Sequence, residues 1–327
     1  MKKNYLQKSP FITFSSKKIF FSFIHIKSFE IIEVIGKDSQ KYLNNQFTAD
    51  LDILNKNKHI LCGHCNYKGK LLSVLRVLKK NSKKFLYMIK KDLYNIHMKT
   101  IKKYSIFSQV CFKKKKFKLL GILDCEIKKK LLKYIFLNLP NKKKSVLFFK
   151  KDIILYIDNP IKRYLCFLSK KSFLKIKKIF HKENFVKNDN QWDALDIESN
   201  IPILNIQSSN MFFPQEVSLN KIDNSMSFKK GCFCGQEAIS RIQYKGNNKK
   251  NLFFLIGKLK KKFLIPKVGD LVFLKKNNFL YKKGIVLNSL IIENNQIWIQ
   301  AILNNFNLEN KFYFIKRIKF FVQLKKI

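Results

Sequence analysis

Short β-prone runs alternate with stretches of helical period through the first 180 residues of the chain. Residues 30–35 are β-prone, Gly36-Lys37-Asp38-Ser39 supply a turn and a helix cap, and Tyr42, Leu43 and Phe47 follow at helical spacing. Residues 59–65 read as a strand that ends in the turn Asn66-Tyr67-Lys68-Gly69-Lys70. A strand pair over 71–78 and 85–89 is predicted around the polar residues 80–84. Leu93, Ile96, Ile101 and Tyr104 mark an amphipathic helix.

The middle of the chain repeats this mixture. Residues 119–123 are strand-like, and Ile127, Leu131, Leu132, Ile135 and Phe136 keep a helical period. Strands are predicted near 146–149, 153–157 and 164–168, then a helix around 173–180 and a polar boundary over 182–190. After Lys250 only short strands remain, near 252–259, 271–274, 284–287 and 297–303, which predicts a small all-β C-terminal domain closed as a barrel.

Composition narrows the class without naming a function. The chain has 327 residues, 46% of them hydrophobic, with only 10 Gly and 6 Pro. It can bury a core, which excludes disordered and fibrous classes. Its 67 Lys+Arg against 21 Asp+Glu give a net charge of +46. Such a charge suits nucleic acid or an anionic surface. Yet only Arg76, Arg163, Arg241 and Arg317 are arginines, and the lysines are spread along the whole chain beside abundant Ile, Asn, Phe and Tyr. That pattern also fits solvated faces shaped by A+T-rich codons. No apolar run reaches the ~18 residues of a membrane span. The first 27 residues read as an extended lead-in, and 7 unevenly spread cysteines suit a reducing cytoplasm.

One segment carries chemistry: Lys229-Lys230-Gly231-Cys232-Phe233-Cys234-Gly235-Gln236-Glu237, running on to Arg241. Two glycines in five residues imply a bent or closely approached backbone. The residues after Gly235 read as a helix with Glu237 in its first turn, which puts Cys232 near a helix N-terminus and two lysines. Both favour a thiolate. Spacing alone leaves open a flexible loop with a buried, inert cysteine.

Lys230 to Glu237 resembles the K-G-C-Y-x-G-Q-E signature of the YgfZ family, folate-binding proteins related to the aminomethyltransferase (T-protein) of the glycine cleavage system. Further blocks agree in order: Gly36-Lys37-Asp38-Ser39 with Tyr42 and Gln46-Phe47-Thr48-Ala49-Asp50; His64-Cys65 with Lys68-Gly69-Lys70; Lys103-Tyr104-Ser105-Ile106-Phe107-Ser108; Gln191-Trp192-Asp193-Ala194-Leu195-Asp196-Ile197-Glu198; and Gly246-Asn247-Asn248-Lys249-Lys250. The resemblance implies an α+β, three-domain aminomethyltransferase-like ring around a folate hole, closed by a C-terminal β-barrel. The expected division is 1–115 with 190–250 as the folate-binding α+β domain, 116–189 as a second α+β domain, and 251–327 as the barrel.

The resemblance also implies folate as cofactor, with Trp192 as a flat apolar wall and Glu198 facing the pterin. Phe29 stands where the family has a second tryptophan; it keeps the ring face but loses the indole N–H. Phe233 for tyrosine and Asn200 for glycine are further departures. Cys232 is the expected functional thiol, within a motif of Lys230, Gly231, Phe233, Gly235, Gln236, Glu237 and Arg241. The implied function is that of a monomeric accessory factor more than a classical enzyme. It would support methylthiolation of some tRNAs by maintaining iron–sulfur enzymes, with a regulatory role.

Three rival readings compete with this one. An aminomethyltransferase would carry an acid shortly after the first-domain glycine turn, but Gly69-Lys70-Leu71-Leu72-Ser73-Val74-Leu75 has none. A metal site from Cys62, Cys65, Cys232 and Cys234 is disfavoured, because strand alternation puts Cys62 and Cys65 on opposite faces. A lysine-rich RNA-binding module lacks any paired aromatic RNA motif. No metal is therefore expected, and the histidines His25, His59, His97 and His181 are assigned structural or surface roles.

Overall fold

The computed structural model describes residues 12–123, 129–180, 185–186, 188–244, 246, 248–258, 265–276, 279–304, 312–315 and 318–323. In chain order the elements begin with β1 (Ser22–Ile26), β2 (Phe29–Ile35), α1 (Ser39–Gln46), β3 (His59–Cys65), β4 (Leu71–Asn81), β5 (Lys84–Lys90) and α2 (Tyr94–Lys103). They continue with β6 (Cys111–Lys115), β7 (Lys118–Leu123), α3 (Lys129–Phe136), β8 (Val146–Phe149), β9 (Asp152–Ile157), β10 (Arg163–Leu168), α4 (Lys170–Ile179) and β11 (Phe185–Val186). Helices α5 (Asn190–Glu198) and α6 (Gln236–Tyr244) precede the last six strands. These are β12 (Lys250–Lys258), β13 (Leu271–Lys276), β14 (Phe279–Ile292), β15 (Gln296–Asn304), β16 (Phe312–Ile315) and β17 (Ile318–Gln323).

The first five-stranded sheet has the order β3-β4-β5-β2-β6 and buries both faces. Residues alternate across each strand, so Phe85, Tyr87 and Ile89 of β5 face one core with Phe47, Ile101 and Ile239. Leu86 and Met88 face a second core with Leu155 and Trp192. Strand β6 escapes a hydrophobicity reading because it is Cys-Phe-Lys-Lys-Lys. It is held beside β2 by ladder hydrogen bonds and by ion pairs from Lys114 to Glu30 (2.7 Å) and from Lys115 to Glu33 (3.4 Å).

The second sheet has the order β11-β1-β7-β10-β9-β8. Here the structure cuts across the expected division: β1, within residues 1–115, runs antiparallel to β7 and parallel to β11. The physical reason is its own alternation, since Ile24 and Ile26 enter the core shared with the first sheet while Phe23 enters the core under α3 and α4.

Strands β12 to β17 close into the expected barrel. Helix α5 is the joint of the molecule. Trp192 and Leu195 enter the core between the sheets, while Ala194 and Ile197 pack against Phe254 and Trp298 of the barrel. A helix buried on nearly every side has no apolar stripe, which is why no amphipathic period marks α5 in the sequence.

Candidate functional site

The signature segment lies on the α1/α2/α6 face of the first sheet, where Phe233 is buried among Phe47, Leu71 and Leu75. Lys230 reaches under it, and its ammonium donates to the carbonyls of Asn44 (2.6 Å), Phe47 and Ala49 (2.6 Å). These are carbonyls at and just beyond the C-terminus of α1, the groups a helix end leaves unsatisfied. Burial pushes the Lys230 ammonium down to about 8, against the opposing pull of Cys62, Asp50 and Asp52. Lys230 is thus an anchor for the segment, a role the sequence did not suggest.

Two reciprocal bonds shape the turn: the Phe233 N–H donates to Gln236 Oε1 (2.9 Å) and the Gln236 N–H to the Phe233 carbonyl (3.0 Å). The Cys234 N–H donates to the Asn45 carbonyl (2.9 Å). Gly235 has φ +80°, and a Cβ there would lie 2.4 Å from the Asn66 carbonyl oxygen and 2.6 Å from Gly69 Cα. Only glycine fits against the Asn66–Lys70 turn. At Gly231 a Cβ would meet nothing within 4 Å, so neither packing nor backbone conformation calls for glycine there.

Cys232 is exposed, Cys234 is half-buried, and burial pushes the Cys234 thiol up. Glu237 and Arg241 form a surface ion pair (2.7 Å) one turn apart on α6, both well exposed.

The other predicted residues lie on the opposite face. Phe29 and Lys90 are cross-strand partners, with the Lys90 ammonium 4.3 Å from the Phe29 ring centroid and bonded to both oxygens of Asp193 (2.6 Å each). Trp192, expected as a flat wall, is fully buried. The Arg163 guanidinium lies 4.4 Å from its ring centroid, and the ring presses so close to Gly121 that a Cβ there would come within 2.8 Å. Glu198, expected to face a pterin, accepts from the Ser16 N–H and hydroxyl (2.9 Å each) and ties the N-terminal segment to α5.

Two adjoining cavities open on this face. A narrow one of about 40 Å³ is lined by Phe29, Arg76, Lys90 and Asp196 among others. A wider one of about 260 Å³ is lined by His59, Arg76, Lys142, Ser145, Tyr156 and Ser199 among others. They share Leu61, Arg76 and Ile201. Arg163 donates to Asp196 at 2.7 Å. Among the described residues, Arg76 Nε, Arg163 Nε and Nη1, and Trp192 Nε1 are buried donors with no acceptor. The structure therefore brings Phe29 and α5 together and separates both from Cys232 by the thickness of the sheet.

Sequence reading missed a buried polar cluster behind the signature. His64 Nδ1 and His97 Nδ1 are 2.9 Å apart, His97 Nε2 meets the Tyr87 hydroxyl at 2.8 Å, and Ser73 Oγ lies 3.3 Å from His97 Nδ1. Burial drives His64 down to about 3 and His97 well below the usual range, with the neighbouring His64 adding to the latter. Spacing could not show this, because the partners come from three strands and a helix. Cys62 and Cys65 also depart from expectation: both are fully buried in one core, because the β3–β4 register slips between His64 and Cys65. Among the described residues no three His, Cys, Asp or Glu gather as metal ligands.

With this geometry in hand, similarity to known proteins defines the class. The solved structure of the glycine cleavage system aminomethyltransferase T from Bartonella henselae overlays with a TM-score of 0.73, covering 93% of this chain and 85% of that one at 12% identity. The molecule therefore has the aminomethyltransferase-like α+β fold with a C-terminal β-barrel. Residues 248–315 match the family model described as the YgfZ β-barrel domain. The tRNA-modifying protein YgfZ of Buchnera aphidicola subsp. Baizongia pistaciae is 39% identical over 89% of both chains. Its counterpart from Blochmanniella pennsylvanica is 36% identical over 90% of both, and that of Pectobacterium atrosepticum 33% identical over 91% of this chain and 89% of its own. The chain belongs to the YgfZ family.

Proposed function

We propose that the protein binds a folate in the hole between its two sheets and acts in the cytoplasm as an accessory factor of tRNA modification. Cys232 is the thiol it presents to an iron–sulfur enzyme that methylthiolates tRNA. The observation that carries the folate reading is the lining of the hole: a ring face from Phe29, a carboxylate from Asp196, and a buried guanidinium from Arg76 with an unpartnered N–H. A folate offers a flat heterocycle, ring donors and an anionic tail, so the residues present fit it. Trp192 and Glu198 act in this reading from behind the wall. Trp192 carries Arg163, which holds Asp196, and Glu198 fixes the chain entry at Ser16.

Cys232 lies on the other face of the sheet from the hole, so its thiol meets a partner rather than the bound folate. The family signature then works as a mount: Lys230, Gln236 and Gly235 hold the segment down and leave Cys232 outermost. Two measurements test the reading. Folate titrated into the wild-type protein is expected to bind, and Phe29→Ala to weaken it; no binding by the wild type ends the pocket reading. Cells carrying Cys232→Ala are expected to lose tRNA methylthiolation, and a normal level of the modified nucleoside would remove the thiol from the function.

A further inference from the structure

Arg76 is a buried cation with no carboxylate of its own. It stands on β4, 5% exposed, where the two cavities meet. Its Nη1 donates to His59 Nδ1 at 3.2 Å, while His59 Nε2 donates to the Tyr156 carbonyl at 2.9 Å. That bonding makes His59 the neutral tautomer. Burial, then the Arg76 charge, drives His59 down to about 3, so it stays neutral and offers the guanidinium no counter-charge, and the field of Asp196 only partly offsets what burial costs Arg76. The nearby acid, Asp196, is bonded by Arg163 at 2.7 Å, and no described carboxylate forms an ion pair with Arg76. Its Nε has no partner among the described residues. A buried charge is tolerated when it is paired and hydrogen-bonded, and a guanidinium edge is shaped for a carboxylate.

We propose that Arg76 receives a carboxylate of the ligand, so that the cavity selects folates with a free glutamyl tail over the same pterin with an uncharged tail. This rests on the folate reading above and adds the residue and the ligand group that set specificity. The wider cavity of about 260 Å³, beside Ser145 and Tyr156, is where that tail would lie.

The test titrates 5-formyltetrahydrofolate and its bis-amide, in which both tail carboxylates are neutral, into the full-length protein. The wild type is expected to bind the acid at least roughly tenfold more tightly, the scale of a charge-assisted bond pair. Arg76→Gln is expected to bind both ligands within twofold of each other, at the affinity the wild type shows for the bis-amide. Arg76→Lys keeps the charge but loses the fork, and is expected to lower the wild-type ratio at least threefold. It decides the matter if Arg76→Gln does not fold. Lys171→Ala, at an exposed residue of α4 that lines neither cavity, is expected to keep the wild-type ratio. Equal binding of acid and bis-amide by the wild type overturns the assignment, as does an Arg76→Gln or Arg76→Lys protein that keeps the full ratio. If neither ligand binds the wild type, the folate reading itself falls.

Discussion

The two faces of the five-stranded sheet leave different kinds of buried polar atoms without partners. In the signature segment Lys230 satisfies three carbonyls, Gln236 and Phe233 bond each other, and Gly235 is packed on the Asn66–Lys70 turn. Around that segment the buried atoms without a partner include the amide oxygens of Gln46 and Gln215 and His64 Nε2, whereas on the cavity face four guanidinium and indole donors have no acceptor among the described residues. A closed set of bonds fixes a position, whereas a surplus of buried donors is stable only if something supplies acceptors. In the proposed function the first face is a mount for an exposed thiol and the second a receptor for an acceptor-rich ligand.

Acid is expected to break the first face most severely. His64 is neutral when folded, with a value lowered from 6.5 to about 3. The unfolded chain takes up a proton below about 6.5 and the folded one does not, so stability is complete above that pH and falls as pH drops toward 3. At 1.36 kcal/mol per unit the loss is on the order of 4 to 5 kcal/mol. A denaturation midpoint unchanged between pH 7 and pH 4 would remove the cluster from the stability of this face.

On the second face Trp192→Ala opens a cavity in the core between the sheets, and the expected loss is about 3–5 kcal/mol in chemical denaturation. An effect below about 1 kcal/mol would mean that Trp192 does not support Arg163. Gly235→Ala meets the Asn66 carbonyl and a left-handed backbone, with an expected loss of about 2–4 kcal/mol. Lys230→Met orphans the carbonyls at the end of α1 and is expected to cost about 2 kcal/mol. Gly231→Ala should change stability by less than about 0.5 kcal/mol. If it unfolds the protein like Gly235→Ala, the segment is packed more tightly than its open surroundings imply.

How much of this was legible beforehand differs by residue. Strand β3 was readable to the residue, and Gly235 announced a special backbone before its turn against Gly69 was known. Lys230 was readable as part of a motif but not as an anchor, because the carbonyls it meets lie some 180 positions earlier in the chain. The Cys62/Cys65 facing failed on a single register slip, which inverts every side chain beyond it. Strand β6 was hidden by three lysines whose acidic partners sit on β2 or whose backbone alone pairs.

The sequence by itself determined the α+β class, the terminal barrel and the family, because periodicity and a contiguous signature are local properties of the chain. Tertiary packing alone sets Cys232 and the two cavities on opposite faces of one sheet, puts β1 in the second sheet, and buries Arg76 against a neutral histidine. Each of those depends on which groups from distant segments are brought within bonding distance, and on which are left without one.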